Sequence, residues 1–399
     1  MEIEMFKRIG QNKMPRNRTI SVPVEPAVMK WAIESSGWTT DEISRRLEIS
    51  PITLSGWISG KINPTLNQLE ALAVSIKRPL AAFFLSIPPV EKPLPKDYRM
   101  LPGRVGKFDK KTILAIRRAR RLQRVSKELS DNVNAATSFT LPKSTLSNNP
   151  LVLAEHYRQE FIFNEEKQKK LKSPYDVFNF LRDVIEDKNI LIFQISMPVD
   201  DARGFTLVDD IPAIIVVNSK DAIDARIFTL MHEFGHILLQ ESGISMPENA
   251  LAVRDIEKVE KWCNEFASAF LLPEAMARNI FNSNKSVIIE TETLNKFSRT
   301  YKLSKAMLLY NMAKFGYITQ KQLAAVLDRY KPNNIKTKGK KSGGFGKSAD
   351  RTCMSEKGQK FVSLVISNME KGFITHSDAL NYLSIKSKNL EKVTSKARK

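Results

Sequence analysis

Four shortages in this 399-residue chain each close off a class of function. There are two cysteines, Cys263 and Cys353, far apart in the sequence, so neither a disulfide framework nor a cysteine-ligated zinc is expected. No apolar run approaches the roughly 18 residues of a membrane span. Met1 to Thr19 is studded with Lys, Arg and Glu where an export leader would be apolar. A soluble, cytoplasmic protein without a membrane partner is therefore the expectation. Acidic residues are also scarce, 43 against 63 Lys and Arg, which leaves a net charge of +20. Such a field draws polyanions without regard to their sequence. Histidine is scarcer still, with four in the chain: His156, His232, His236 and His376.

Two of those four fall in one five-residue run, His-Glu-Phe-Gly-His at 232–236. On a helix, His232 and His236 project from one face, so two imidazoles reach a single metal while Glu233 addresses its remaining site. This is the pattern of a zinc hydrolase, with Glu233 as the catalytic base. The flanks Ile227, Phe228, Leu230 and Met231, then Ile237, Leu238 and Leu239, make the helix a core element. Burying two imidazoles and a carboxylate there is costly without a partner such as a metal. A catalytic zinc takes three protein ligands and keeps one position open. The best third candidate is Glu260, on an amphipathic helix over 255–273, with Asn264 one turn further on the same face; resemblance to the thermolysin-like zincins, whose third ligand is a Glu on the helix after the motif, implies that Asn264 orients a zinc-bound His. Glu257, on the face of Glu260, and Glu265, rotated toward solvent, are rivals. His156, His376 and Arg203 are the candidates for stabilising an oxyanion.

Before the motif, Ser173-Pro174 opens a helix to about Asp187, followed by β-rich runs from Ile190 to Ile195, Arg203 to Val208 and Ile211 to Asn218, with Asp209-Asp210 at a turn. Ser219 and Asp221 are the expected caps of the motif helix. The run from Ile211 to Asn218 is the strand expected to line a cleft, where an extended peptide adds to a sheet edge.

The N-terminal part is a second unit. Thr39 to Glu42 spells a capping box opening a helix to Leu47; Glu48-Ile49-Ser50 is a turn; Ser50 then caps a helix with Pro51 first. Helix, three-residue turn, helix is the helix-turn-helix motif, whose second helix reads bases in the major groove. Pro51, Ile52, Thr53 and Ser55 are its candidate readers and Lys61 a phosphate contact. Gly56 and Ile58 stand where polar or charged residues are common. A second candidate surface for DNA is the stretch 104–128, with ten basic and two acidic residues beside an apolar stripe of Ile113, Ile116, Leu122, Val125 and Leu129.

Residues 202–273, through "RGFTLVDDIPAIIVVN", "ARIFTLMHEFGHILL" and "EKVEKWCNEFASAFLLP", resemble the ImmA/IrrE metallopeptidase family. Cys263 departs from its usual Ala. Residues 26–90, "WAIESSGWTTDEISRRLEISPITLSGWISGKINPTLNQLEALA" and onward, are similar to the XRE helix-turn-helix family in its version fused to such peptidases. The resemblance implies a gluzincin-like protease that cuts helix-turn-helix repressors, with zinc on His232, His236 and Glu260.

The expected fold is α+β and mostly helical: a helix-turn-helix bundle, a zincin domain with a small sheet, and a helical C-terminal extension. Its parts are a helix-turn-helix domain at 26–90, a basic helical linker at 91–149, the peptidase domain at 150–285, a helical subdomain at 286–332, a flexible linker at 333–350 and a small helical segment at 351–399. Two functions compete. One is a zinc endopeptidase cleaving a partner repressor, in a prophage, mobile-element or stress response. The other is a DNA-binding regulator whose zincin domain senses or binds a partner without significant proteolysis.

Overall fold

The computed structural model describes residues 20–92, 108–135, 138, 141–240, 253–284, 287–330 and 348–398. The segment 333–347, Pro93, Pro95, Arg104 and Lys107 lie outside these. The chain divides into two compact units, one within residues 1–92 and 108–114 and the other within 93–107 and 115–399.

The first unit holds α1 (Pro26–Glu34), α2 (Thr40–Leu47), α3 (Pro51–Ser59) and α4 (Leu66–Ile76), then a 3-10 turn at Leu80–Phe84. Its helix ends are written locally. Thr39 Oγ1 accepts from the Glu42 N–H at 3.2 Å and Glu42 Oε2 accepts from the Thr39 N–H at 3.1 Å, satisfying two otherwise orphaned donors. α2 stops at Glu48, whose left-handed backbone (φ 54°) turns the chain. Ser50 Oγ then accepts from the Thr53 N–H at 3.0 Å to start α3. Each such cap stabilises by about 1 kcal/mol. Met29, Ile43, Leu54, Trp57, Leu69 and Phe83 form the core. Gly56 is not a surface position. An added Cβ would lie 2.6 Å from Ile62 Cδ1, so the place where a polar or charged side chain is common is filled by Ile62.

The second unit is built on a three-stranded sheet of β1 (Ile190–Ile195), β2 (Gly204–Leu207) and β3 (Ala213–Asn218) in the order β1-β3-β2. β1 runs parallel to β3, Ile190 opposite Ala213, while β2 pairs antiparallel, Gly204 opposite Val217. β3 is thus the central strand, hydrogen-bonded on both sides, and cannot offer the open edge expected of the run from Ile211 to Asn218. The edge beside the motif helix belongs to β2.

Both faces of the sheet are covered, which is why "ILIFQI" and "AIIVVN" read as continuous apolar runs rather than alternating ones. α5 (Lys110–Asn132) lays Ala115, Ile116, Ala119, Leu122, Val125 and Leu129 into the core on the face of Leu191, Phe193, Ile214 and Val216. From Ala115 onward this helix is therefore a core layer, where the sequence suggested a linker. The same core takes in the C-terminal helices α15 (Ala349–Lys357), α16 (Gln359–Glu370), α17 (His376–Leu383) and α18 (Leu390–Ala397), through Cys353, Phe361, Val365, Leu383 and Val393.

The opposite face, Ile190, Ile192, Ala213, Ile215 and Val217, packs on the larger core. That core joins α6 (Pro150–Glu160), α8 (Pro174–Glu186), α9 (Ile223–Leu239), α10 (Val253–Leu271), α11 (Glu274–Asn282), α12 (Thr291–Tyr301), α13 (Lys305–Lys314) and α14 (Gln320–Tyr330); α7 (Glu165–Lys170) is a short link between α6 and α8. As expected, helices dominate and the sheet is small. No helix among the described residues is long and apolar enough to cross a membrane.

Candidate metal centre

The run His-Glu-Phe-Gly-His lies in the buried half of α9. The helix starts without a side-chain cap. Ala222 holds the N-cap position, and Asp221, one of the two expected caps, instead accepts from the Ala222 N–H at 2.9 Å and from Arg203 at 3.0 Å. Arg203 is thereby held at the start of the helix.

α9 is seated against α10 by an aromatic cluster in which Phe234 meets Tyr157 edge to face at 5.2 Å and Phe266 at 6.1 Å between centroids. Gly235 permits the close approach: a Cβ there would lie 3.2 Å from Cys263 Sγ and 3.4 Å from Cys263 Cα. The consequence is that Glu260 of α10 reaches both histidines. His232 Nε2 is 3.1 Å from His236 Nε2 and 3.4 Å from Glu260 Oε2, and His236 Nε2 is 3.2 Å from Glu260 Oε1. One ligand atom from each of the three lies within 4.8 Å of the others. Glu257 is exposed and Glu265 half-buried, and neither joins the group.

This donor set fits a divalent metal. Asn264 Oδ1 sits 3.0 Å from His232 Nδ1. With Nδ1–H donating to that oxygen, the tautomer is fixed and Nε2 is left with its lone pair toward His236 and Glu260. Burial alone would raise the Glu260 carboxyl, but the two imidazoles beside it, His232 and His236, outweigh that and hold the group well below the usual carboxylate range. For His236, burial pulls the imidazole down, while Cys263, Glu260 and Glu233 prevail and hold it well above its ordinary value. Burial pushes the Cys263 thiol up, against His236. Two imidazoles and a carboxylate with negative neighbours, all buried or nearly so, form a site whose electrostatics favour a cation.

Glu233 is 4 % exposed and is held from the sheet. Thr206 of β2 donates from Oγ1 to Glu233 Oε2 at 2.8 Å. Gly204, two residues earlier on the same face, leaves space: a Cβ would lie 3.1 Å from Glu233 Oε1. Sequence reasoning missed both residues. The strand's alternation is the signal that places Gly204 and Thr206 together on the α9 side. His156 is exposed beside Glu160 at 3.7 Å, and His376 is exposed at the start of α17; neither faces the centre.

In the first unit Pro51, Ile52, Ser55 and Lys61 are exposed, while Thr53 is half-buried with its hydroxyl 2.8 Å from Ser50 Oγ. α3 itself carries no charged residue, and Ile20 to Lys92 holds seven basic and seven acidic residues. The chain's surplus of positive charge lies elsewhere.

Residues 185–313 match the family model of the IrrE N-terminal-like domain, a peptidase family, and residues 29–83 match that of the helix-turn-helix. A search of curated proteins found no match. Among solved structures, a Mycobacterium tuberculosis transcriptional regulator is similar at 14% identity with a TM-score of 0.30, over 48% of this chain and 52% of that one. This chain thus spans about half the length of that regulator, a likeness too slight to argue from. The two family matches bear out the resemblance read from the sequence: the chain carries a helix-turn-helix domain followed by a metallopeptidase-like domain of the IrrE N-terminal-like family.

Proposed function

We propose that the chain is a zinc-dependent endopeptidase of the cytoplasm that cleaves a partner protein, a helix-turn-helix repressor, with His232, His236 and Glu260 holding the metal. The observation that carries this reading is the convergence of those three side chains beside a carboxylate, Glu233, that is not one of them. Bound there, zinc would supply Lewis-acid polarisation of a carbonyl and acidify water toward neutrality. Glu233 is the group that takes a proton from water and returns it to the leaving amine. Thr206 fixes the direction of that carboxylate through Oε2. The outer edge of β2 is where an extended substrate would add its own main-chain hydrogen bonds. Asn264 keeps His232 in the tautomer a ligand needs. The helix-turn-helix domain delivers the enzyme, to DNA or to the repressor itself.

The decisive experiment compares the full chain with Glu233→Gln on a small helix-turn-helix protein encoded beside it. Cleavage by the wild type, lost in the variant with metal content and thermal melting unchanged, supports the reading. An unaltered regulatory output in Glu233→Gln favours the alternative, a DNA-binding regulator whose metal domain binds a partner without turnover.

A further inference from the structure

The C-terminal helices repeat the geometry of the N-terminal helix-turn-helix, and we propose that residues 375–397 are a second helix-turn-helix whose basic second helix docks on a DNA duplex. The correspondence is one of backbone and caps. α17 opens with the same reciprocal box as α2: Thr375 Oγ1 accepts from the Asp378 N–H at 3.1 Å, and Asp378 Oδ2 accepts from the Thr375 N–H at 3.0 Å. Both first helices are eight residues long, and both end in one left-handed residue, Glu48 (φ 54°, ψ 38°) and Ser384 (φ 56°, ψ 43°). The residue after each turn bonds back alike, the Ile49 N–H to the Ser44 carbonyl at 3.0 Å and the Ile385 N–H to the Leu380 carbonyl at 3.1 Å. An extended residue follows in each, Ser50 or Lys386, before the second helix. Three buried positions coincide, Ile43 with Ala379, Leu54 with Leu390 and Trp57 with Val393, whereas buried Gly56 falls on exposed Lys392. In one register, without a gap, the backbone agrees from Thr375 to Lys386; beyond it the second helix opens as a 3-10 turn and lacks the side-chain cap that Ser50 gives α3.

What differs is the charge of the second helix. α3 has none. Its counterpart, a 3-10 turn at Ser387–Asn389 running into α18, carries Lys386, Lys388, Lys392, Lys396 and Arg398 within thirteen residues, against the single acid Glu391. Lys396 is tied to Asp350 and Arg398 to Glu370. Lys386, Lys388 and Lys392 are exposed. Lys388, in the 3-10 turn, and Lys392, in the first turn of α18, lie four residues apart. In the register above they take the places of Ile52 and of Gly56, the position filled in the first unit by Ile62. A solvent-facing helix preceded by the tight turn, with two cations four residues apart, has the shape of a major-groove insert and the charge to displace counterions from phosphates. The left-handed turn alone does not make such a surface. It recurs at Lys302 between α12 and α13, but α13 buries Met307, Leu308, Leu309 and Met312 and shows solvent Ala306 and Tyr310.

The test uses the full chain and a mixed-sequence duplex followed by fluorescence anisotropy over a range of salt. The expectation is salt-dependent binding whose log–log slope flattens by about 0.9 for each phosphate contact removed. Lys388→Ala with Lys392→Ala should flatten it by about 2 and weaken binding about tenfold or more near 0.1 M salt. Arg at both positions should restore both. Both lysines are exposed, so an unchanged melting profile will show that the variants fold. The proposal is overturned if the double Ala variant binds duplex as the wild type does, if the wild type binds no duplex, or if these lysines bind polyglutamate and not DNA.

Discussion

Thr206 Oγ1 donates a 2.8 Å hydrogen bond to Glu233 Oε2, so the direction of the carboxylate is set from β2 and not by α9, which carries it. The glutamate is 4 % exposed, and a charged acceptor makes the bond worth about 1.5–3 kcal/mol.

Thr206→Val keeps the shape of the side chain and removes the donor. On a cleavable substrate, kcat should fall about 10- to 100-fold, the equivalent of that bond, with KM and metal content little changed. Thr206→Ser should recover most of the loss. Equal kcat in the Val variant would remove Thr206 from the positioning of Glu233.

Gly204→Ala tests the other side of the same contact. The new Cβ would fall 2.6 Å from Thr229 Cγ2 and 2.9 Å from the Val216 carbonyl oxygen, and the latter is backbone of the central strand that cannot swing away. Overpacking of this kind typically destabilises by about 1–3 kcal/mol. Thermal or urea melting should show it in the apo protein, independently of any peptidase activity.

Metal removal separates ligands from their support. His232→Ala and His236→Ala should each abolish stoichiometric zinc, and Asn264→Ala should weaken affinity about 10- to 100-fold while leaving the site present. A chelator should lower the melting temperature of the wild type and not of the histidine variants. Full zinc occupancy in the double histidine variant, by elemental analysis, would refute the assignment.

How much of this was readable in the sequence follows how local each feature is. The capping box at Thr39 and Glu42, the Ser50 cap with Pro51, and the pairing of His232 with His236 each depend on residues within one helical turn. The reach of Glu260 needed the register of α10 on α9, which its spacing from Asn264 hinted at. Thr206 lies 27 residues before Glu233 and meets it only because β2 folds back antiparallel on β3. The run from Ile211 to Asn218 announced a strand buried on both faces, but strand order is not a property of one strand, so its central position was hidden. The same holds for α5, whose stripe from Ile113 to Leu129 showed that it packs and not that the sheet is its partner. The likeness of the C-terminal helices to the helix-turn-helix was not read from the sequence: Thr375 and Asp378 repeat the capping pattern of Thr39 and Glu42, but the helix after the turn opens without the Ser cap and Pro that mark α3.

Lys357 supplies a pH test of the C-terminal helices. It is 2 % exposed on α15, and burial, then the like charge of Arg118, pushes its ammonium down to about 8. Cys353 and Glu356 on its own helix pull the other way, and Arg121 of α5 adds to the lowering. The unfolded chain keeps the ordinary lysine value of about 10.5, so between about 8 and 10.5 it binds a proton that the folded chain lacks. Stability from this group therefore rises with pH across that window, and below about 8 the folded state bears the full penalty of a buried cation. Lys357→Met lifts the penalty. Melting the two proteins side by side cancels the titration of every other lysine, so the variant should be the more stable at pH 7, by at most about 3 kcal/mol. The gap should narrow steadily toward pH 10. A gap that is constant with pH would mean that Lys357 stays protonated in its buried place.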